Sequence, residues 1–278
     1  MTQSHRPFDS AHFAELRRTV GLGLAASLSA TEATESTNDD ALAAAREGAA
    51  HGTTFVTDSQ TRGRGRRGRA WFASPGESLL CSLVLRLPLA PEAAIPLPLA
   101  VGLAVRAAVE KALPASRALD ARVKWPNDVW IGDKKVAGIL VETCLRGKVL
   151  DAIVVGFGIN VHTREFPEEL RGVASSIALA IGDDATGTLS REGLLISVLT
   201  ELERRLSDFL KQGVRGLLAE FSQFDALRGR SVRVDAVEGF AEGIDQEGRL
   251  LIRQADDTRV SVVAGTVELV DGPSRFSA

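Results

Sequence analysis

A run of arginine and glycine that leads directly into an apolar segment is the feature that most constrains how this chain folds. Five arginines within eight positions are interleaved with glycines in this Arg/Gly loop: Arg62, Gly63, Arg64, Gly65, Arg66, Arg67, Gly68 and Arg69. No acidic residue occurs between Asp58 and Glu77, and residues 79–87 are apolar enough to form a buried strand. Because like charges repel, we expect a loop that stays mobile until an anion binds.

This loop has two interpretations. Glycine N–H groups can form an anion-binding nest, and the arginine fork matches phosphate and carboxylate, so the loop is suited to a small anion. An Arg/Gly run is also typical of a solvated or disordered segment that binds nucleic acid nonspecifically. The strand that follows favours the first interpretation. The net charge of −3 does so too, because the basic character is confined to the loop.

The rest of the composition is that of an ordinary globular protein, with 278 residues, 45% hydrophobic and 25% charged. This length predicts one large domain, or a medium domain and a small one. Cys81 and Cys144 lie in apolar runs without metal-ligand spacing, so we expect buried, reduced thiols. No uncharged run approaches the ~20 residues that span a membrane, and the N-terminus lacks a signal-peptide pattern. These features predict a cytoplasmic enzyme or binding protein with no membrane partner.

A polar segment, Ser36-Thr37-Asn38, precedes the alanine-rich residues 41–45. Serine, threonine and asparagine favour helix N-caps and alanine favours helix interiors, so a helix begins here and ends near Gly48. Plain capping is the simpler interpretation. The alternative is that the same polar groups, at a helix N-terminus, face a ligand.

A second dense segment, residues 122–142, predicts three strands joined by a Pro-Asn-Asp turn and a Gly-Asp turn. Lys124 and Asp128 flank the first turn and could serve one site. Lys135 stands at the entrance of the last strand, where Gly138 leaves room for a close approach to the backbone. Two surface hairpins with ordinary lysines are the simpler interpretation.

Other segments complete the predicted architecture. Residues 99–113 and 190–210 have the apolar spacing of helices, with Ser190 as an N-cap, and residues 164–181 read as a surface loop. The G-F-G-I-N sequence at 156–160 ends an apolar strand and predicts a close backbone approach near a site. From Leu227, five short strands predict a small barrel or sandwich whose residues show no chemistry.

In order along the chain, four segments resemble the biotin protein ligase (biotin–acetyl-CoA-carboxylase ligase) family. They are S-T-N at 36–38, residues 60–71 with G-R-G-R-R-G-R, K-W-P-N-D at 124–128 with K-K-V-A-G-I-L-V-E at 134–142, and G-F-G-I-N at 156–160. The resemblance implies an α+β fold. A mixed β-sheet packed with helices, of the class II synthetase type, forms a catalytic domain at 31–225. A short extension at 1–30 precedes it, and a small SH3-like β-barrel at 226–278 follows it.

The resemblance implies a two-step reaction. The carboxylate of biotin attacks the α-phosphorus of ATP, which is bound with Mg²⁺, and gives biotinyl-5'-AMP and pyrophosphate. A lysine of a biotin carboxyl carrier domain, such as that of acetyl-CoA carboxylase, then attacks the mixed anhydride and releases AMP. Positive charge is needed where two anions meet, and a loop that closes over the adenylate would keep water out.

Roles for individual residues follow from the same resemblance. Biotin would be held by Ser36, Thr37, Asn38, Gln60, Arg64, Gly65, Arg66, Lys135 and Gly138. ATP or the adenylate would be held by Arg64, Arg66, Arg67, Arg69, Trp71, Asn127, Asp128 and Asn160. Catalysis would rest on Lys135, Arg66, Lys124 and Asp128. No residue is assigned as a direct metal ligand.

The main departure from the family pattern lies at the front of the chain. Bifunctional members carry a helix-turn-helix domain before the Ser-Thr-Asn segment, but the 35 residues that precede it here do not form that motif. We therefore expect a monofunctional ligase that binds no specific DNA, and a homodimer stays open. The competing hypotheses are a lipoate ligase, a nucleic-acid-binding module and an inactive scaffold.

Overall fold

Two β-sheets, the larger one packed with helices, make up the described chain, and the computed structural model describes residues 6–114, 120–182 and 189–270. The helices are α1 (Ser10–Val20), α2 (Thr37–Arg46), α3 (Leu97–Ala112), α4 (Ile177–Ile181), α5 (Arg191–Gln212) and α6 (Leu218–Phe224). The strands are β1 (Leu28–Thr34), β2 (Thr54–Gln60), β3 (Ser78–Leu85), β4 (Ala121–Lys124), β5 (Asp128–Ile131), β6 (Lys134–Arg146), β7 (Val149–Asn160), β8 (Ser231–Val234), β9 (Val237–Ile244), β10 (Leu250–Arg253), β11 (Arg259–Val262) and β12 (Val267–Leu269).

The larger sheet has the strand order β1-β2-β3-β7-β6-β5-β4. β1 and β2 run parallel, and the other neighbouring pairs are antiparallel. β3 is buried along its whole length, as its apolar sequence predicts. The long hairpin of β6 and β7 sets Gly138 opposite Gly158, and β3 sets Leu80 opposite the same glycine. These three positions lie side by side at the centre of the sheet.

Helices cover both faces of this sheet, because alternate side chains of a strand point to opposite faces. Leu83 and Leu85 of β3 belong to the main core, in which α3 and α5 pack together. Val84 packs instead with Ala41 and Ala45 of α2 on the opposite face. The helices predicted at 99–113 and 190–210 are confirmed as α3 and α5, and the Ser190 hydroxyl caps α5 as expected.

The segment Pro91–Ala112, which contains α3, is long and apolar enough to cross a membrane by length and composition alone. In the protein, 72% of its most apolar window is buried, and Leu97, Leu103 and Val109 are fully buried. The segment therefore packs as the central helix of a globular core.

The N-terminal residues belong to the same core. Asp9 caps α1 by accepting from two backbone N–H groups, and Phe13 is buried where α1 packs on α5. β1 then begins at Leu28 and forms the edge of the large sheet. The sequence did not predict this strand, because Leu28 is the only large apolar residue in L-S-A-T-E-A-T and no apolar alternation marks a strand.

The C-terminal strands form a second, antiparallel sheet in the order β11-β10-β9-β8-β12. Hydrogen bonds join this sheet and its linker to β4 and to the turn that follows it: Ala226 N–H donates to Val123 O of β4, and Trp125 Nε1 in the turn donates to Gly248 O, each at 2.9 Å. The ends of the predicted extension and barrel, residues 1–5 and 271–278, lie outside the described residues.

Candidate active site

One cavity of about 610 Å³ brings the four sequence motifs together. Its walls are residues of β3, β6 and β7, the Arg/Gly loop, and residues 265–269 at the start of β12. Every residue assigned a role by resemblance lines it: Ser36, Thr37, Asn38, Gln60, Arg64, Gly65, Arg66, Arg67, Arg69, Trp71, Lys124, Asn127, Asp128, Lys135, Gly138 and Asn160. Residues that are 124 positions apart in sequence therefore share one site, while their individual roles stay predictions.

Glycines form the floor of the cavity, where side chains rest directly on the strands. A β-carbon on Gly158 would lie 2.6 Å from Trp71 Cε2, and one on Gly138 would lie 2.9 Å from Trp71 Cζ3. A β-carbon on Gly156 would lie 1.8 Å from Asn38 Oδ1. These distances are shorter than van der Waals contact, so any other residue would displace Trp71 or Asn38. The predicted close approach at Gly138 and at residues 156–160 is confirmed.

The Arg/Gly loop is folded into a tight hairpin. Gly65 N–H donates to Arg69 O at 2.7 Å, and Trp71 N–H donates to Gly63 O at 2.9 Å. A short 3-10 turn spans Arg66–Gly68, in which Gly68 has a φ of 72° that glycine adopts without strain. The glycines therefore let the loop reverse within a few residues and turn its arginines toward the cavity.

Acidic side chains from distant segments pair with the loop arginines. Arg64 Nη2 lies 2.5 Å from Asp39 and 3.2 Å from Glu142, Arg67 lies 3.4 Å from Asp235, and Arg62 pairs with Glu35. The expectation of a self-repelling loop counted only the charges within residues 58–77, whereas countercharge comes from Glu35, α2, β6 and the C-terminal sheet. The mobility of the loop before an anion binds stays a prediction.

Arg66 is the loop arginine that bonds to the Pro-Asn-Asp turn. Its Nη1 donates to Asn127 Oδ1 at 3.1 Å. Burial lowers the pKa of its guanidinium, the neighbouring Arg67 lowers it further, and Asp128 opposes both effects. A desolvated cation binds an incoming anion more strongly than an exposed one, because less water screens the pair.

Lys135 and Asp128 form an ion pair inside the cavity, with Nζ 2.6 Å from Oδ1. The Lys135 backbone is clamped from outside the sheet: its N–H donates to Val173 O and its carbonyl accepts from Ser175 N–H, both at 2.8 Å. Its Nζ lies 5.3 Å from the centre of the Trp71 ring. The prediction of two ordinary surface hairpins is therefore wrong, because this lysine points into the site.

Lys124 lines the cavity but its ammonium group is directed to the C-terminal sheet. Nζ donates to Val267 O at 2.8 Å and lies 4.8 Å from the Trp130 ring centre. Burial lowers the pKa of Lys124, with Asp128 opposing and Lys135 reinforcing that shift. Lys124 thus joins the two sheets at the site, which its position beside the Pro-Asn-Asp turn did not indicate.

The start of α2 faces the cavity through its polar side chains. Ser36 occupies the N-cap position but makes no capping hydrogen bond, so the plain-capping interpretation is wrong. Gln60 Oε1 accepts from the Thr37 N–H at 2.8 Å and from the Thr37 hydroxyl at 3.1 Å. Asn38 Oδ1 accepts from the Ser82 hydroxyl at 2.6 Å. The motif is therefore part of a polar cavity wall.

Sequence reasoning missed two parts of the cavity wall. Thr266, Val267 and Glu268 come from strands that were expected to carry no chemistry. The other part belongs to residues 164–181, which we predicted as a surface loop: Phe166, Leu170, Val173 and Ala174 line the cavity, and α4 buries Ile177, Ala178 and Ile181. The only available signal in that segment was its apolar content.

Two family models match the chain. The model described as the biotin/lipoate A/B protein ligase family matches residues 30–160, and the biotin protein ligase C-terminal domain matches residues 229–270. The biotin–[acetyl-CoA-carboxylase] ligase of Mycobacterium tuberculosis is 34% identical over 241 residues, which cover 84% of this chain and 85% of that protein. The chain belongs to the biotin protein ligase family.

Further comparisons support this assignment. The bifunctional ligase/repressor BirA of Escherichia coli is 37% identical over 209 residues, which cover 73% of this chain and 62% of that protein. The structure of the Aquifex aeolicus biotin protein ligase in complex with biotin and ATP superposes with a TM-score of 0.74 at 28% identity, covering 89% of this chain and 100% of that one. These comparisons confirm the predicted fold. They also confirm the predicted enzyme class, an ATP-dependent ligase.

Proposed function

We propose that this ligase forms biotinyl-5'-AMP and transfers biotin to a lysine of a biotin carboxyl carrier domain. In the first step a biotin carboxylate oxygen bonds to the α-phosphorus of ATP, and pyrophosphate leaves. In the second step the lysine amine bonds to the activated carbonyl carbon, loses a proton, and AMP leaves. The observation that supports this most strongly is the convergence of Arg66, Lys135 and Asp128 on one cavity lined by all four motifs.

Positive charge in the cavity matches the demands of the first step. Arg64 and Arg66 offer planar forks that suit carboxylate and phosphate, and the Lys135 ammonium is fixed by Asp128 beside them. We assign Lys135 and Arg66 to the meeting point of the two anions, where preorganised cations stabilise the transition state. In this proposal Asp128 keeps the Lys135 side chain oriented. Lys124 holds residues 265–269 against the site.

Two buried polar atoms at the cavity support the assignment of a nucleotide end. Among the described residues, neither Trp71 Nε1 nor Asn160 Oδ1 has a hydrogen-bond partner. Asn160 is fixed by its other group, since its Nδ2 donates to Ser175 O at 2.9 Å. Buried polar atoms are rarely left unpaired, so we propose that Trp71 and Asn160 contact the adenylate, with Asn127, Arg67 and Arg69 nearby.

The polar groups at the start of α2 suit the ureido ring of biotin. Ser36, Thr37, Asn38 and Gln60 supply hydroxyl and amide groups beside the glycine floor. We propose that they bind biotin, and that Gly138 gives its ring clearance.

The described residues fit a Mg²⁺ ion that arrives with ATP. They contain no cluster of three or more histidine, cysteine, aspartate or glutamate side chains that could cage a metal. Mg²⁺ in nucleotide sites usually keeps several waters and binds one or two carboxylates plus phosphates. Asp128, Asp133 and Glu268 are the carboxylates that line the cavity; we propose Asp128 as the one that would contribute, and the ion would neutralise phosphate charge.

Three finer points belong to the proposal. We propose a cytoplasmic enzyme, in keeping with the free, buried Cys81 and Cys144. We propose no repressor activity, because the described residues before Ser36 form α1 and β1, which pack into the catalytic unit. We keep the division of the chain near residue 225, although β1 begins at Leu28 and so crosses the boundary predicted at 31.

Pyrophosphate release tests the first step. The protein is incubated with ATP, Mg²⁺ and either biotin or lipoate, and then with a biotin carboxyl carrier domain. We expect release with biotin, none with lipoate, and mass addition on one carrier lysine. Release with lipoate alone would replace the substrate but keep the chemistry. No release with either, from folded protein, would contradict the proposal.

A further inference from the structure

A continuous series of polar side chains connects Gln60, just before the Arg/Gly loop, to Arg64 within the loop. Gln60, at the end of β2, accepts from Thr37, and the hydroxyls of Thr37 and Ser82 lie 2.8 Å apart. The Ser82 hydroxyl donates to Asn38 at 2.6 Å. Asn38 donates to a carboxylate of β6, Glu142, which in turn binds Arg64 within the loop. Glu142 does not itself line the cavity, so it would act through its neighbours.

Glu142 joins the two halves of this series with one carboxylate. Its Oε2 accepts from Asn38 Nδ2 at 2.7 Å and from Arg64 Nη2 at 3.2 Å. Its Oε1 accepts from Arg64 Nη1 at 3.4 Å. The carboxylate thus faces both terminal nitrogens of the guanidinium, a geometry that fixes the direction of an arginine as well as its charge.

Among the described residues, the contact from Asn38 to Glu142 has only a weaker alternative. Asn38 is buried, and its Oδ1 rests against the backbone of Gly156. Ser82 occupies the carbonyl side of the amide, so the orientation of the amide depends on an acceptor at Nδ2. The remaining contact of Nδ2, to Leu140 O, is long at 3.4 Å. A buried donor that loses its partner is destabilised by its full desolvation penalty.

We propose that Glu142 is a positioning residue for the ligase reaction, whose carboxylate orients Asn38 at the biotin end and Arg64 at the anionic end of the same ligand. This rests on the proposed function for the identity of the ligand. The ion pair between Glu142 and Arg64 also holds the Arg/Gly loop to the sheet when no ligand is bound.

Two substitutions separate the two contacts. Glu142→Gln keeps an oxygen that accepts from Asn38 but loses one of the two carboxylate charges that pair with Arg64, while Asp39 keeps the other. Glu142→Ala removes both contacts of Glu142. Asp151 of β7 supplies a matched control, since it is a similarly half-buried strand carboxylate that pairs with Arg86 at 3.2 Å and Arg146 at 3.6 Å, away from the cavity. Its Asn and Ala variants make the same chemical changes.

The first measurement is steady-state pyrophosphate release as biotin is varied, with the carrier domain present in excess so that the adenylate turns over. We expect Glu142→Ala to raise the KM for biotin about tenfold, the order expected when a buried amide loses its partner. Glu142→Gln should stay within about threefold of wild type, because the acceptor remains. Both Asp151 variants should keep the wild-type KM. A merely structural role would instead lower the melting temperature of the Ala variants and leave the KM unchanged.

The second measurement is the rate of tryptic cleavage at the loop arginines without ligand. Both Glu142 variants should be cut about two- to fivefold faster than wild type and the Asp151 variants, the range expected for loss of a partly exposed ion pair. If Glu142→Ala and Asp151→Ala had the same KM for biotin and the same cleavage rate, the inference would be overturned. The proposed function would remain intact. A wild type inactive with biotin would overturn the proposed function and the biotin half of the inference together.

Discussion

The Arg/Gly loop and the glycine floor face the same cavity, but different forces hold them. The loop is fixed by charged side chains that remain partly exposed, such as Arg64 with Asp39 and Glu142. The floor is fixed by backbone pairing of β3, β6 and β7 and by the absence of β-carbons, which lets Trp71 rest on Gly138 and Gly158. Charge pairs in partial contact with water are weak and adjustable, whereas close packing tolerates little added volume. The loop is therefore suited to move during the reaction and the floor to stay fixed.

Lys135 stands where the two parts meet, and its replacement should have the largest effect. Lys135→Ala removes the ammonium group next to Asp128 and leaves the floor intact. We expect pyrophosphate release to fall about 10²- to 10³-fold, as for the loss of one preorganised group at a transition state. The melting temperature should also fall, because Asp128 Oδ1 is buried and loses its ion-pair partner, so release is compared on variant protein shown to be folded. Full release by this variant would refute the role of Lys135.

Substitution of one floor glycine should have the next largest effect. In Gly158→Ala the new β-carbon would lie 2.6 Å from the Trp71 ring, so the indole must leave its place. We expect biotin-dependent release to fall about tenfold or more, given the 1–3 kcal/mol typical of overpacking. Gly193→Ala in α5 is the control, because its nearest neighbour would be 3.7 Å away. Equal activity of the two variants would contradict the assignment of the floor.

Loosening the loop should change the fate of the adenylate more than its formation. Arg66→Gly removes the desolvated guanidinium that bonds Asn127, while the floor stays as it is. We expect biotinyl-5'-AMP to escape several-fold faster and to label lysines of unrelated proteins, because a charged wall of the cavity is lost. Mass spectrometry of a bystander protein in the reaction checks this. Normal selectivity and a normal lifetime of the intermediate would show that the loop does not retain it.

The smallest effect on activity, with a clear effect on stability, should come from Asp225 at the junction with the C-terminal sheet. Burial raises the pKa of this carboxyl to about 6, although the Leu227 and Arg228 N–H groups oppose the shift. The folded protein therefore binds the proton more tightly than the unfolded chain, and the carboxylate destabilises the fold above pH 6. This penalty disappears as the pH falls through 6 toward 4.

Asp225→Asn tests this directly, since the amide oxygen can still accept from Leu227 N–H, which now bonds Oδ1 at 2.8 Å. We expect the variant to be more stable than wild type by about 1–3 kcal/mol at pH 7.5. The difference should shrink as the pH is lowered. Denaturant unfolding at several pH values measures it, and a difference that does not depend on pH would rule out titration of Asp225.

The comparison also explains which parts of the site could be predicted from the sequence. Local sequence features were sufficient to predict α3, α5, the three strands around residues 122–142 and the close approach at the glycines at 138 and 156–158. Apolar periodicity and glycine positions can be read from neighbouring residues alone. The acids that pair with the Arg/Gly loop could not be predicted. Glu142 and Asp235 come near Arg64 and Arg67 only after both sheets have formed.

Other misses have the same origin. β1 has a single large apolar residue, Leu28, and joins the sheet through backbone pairing with β2, which no single-strand pattern records. Val267 and Glu268 belong to the short strand β12, which Thr266 directly precedes. Their place at the cavity depends on how the second sheet docks, including the bond from Lys124 to Val267 O. Such contacts between distant segments are properties of the assembled fold.

Direct capture of the intermediate tests the central claim, that a charged loop and a glycine floor together hold an activated biotin. The wild-type protein would be mixed with biotin, ATP and Mg²⁺, freed of unbound nucleotide by rapid gel filtration, and denatured for mass spectrometry of the released small molecules. We predict biotinyl-5'-AMP in near-stoichiometric amount with the protein, and much less with Arg66→Gly. Absence of the adenylate from folded, biotin-exposed wild type would contradict the account.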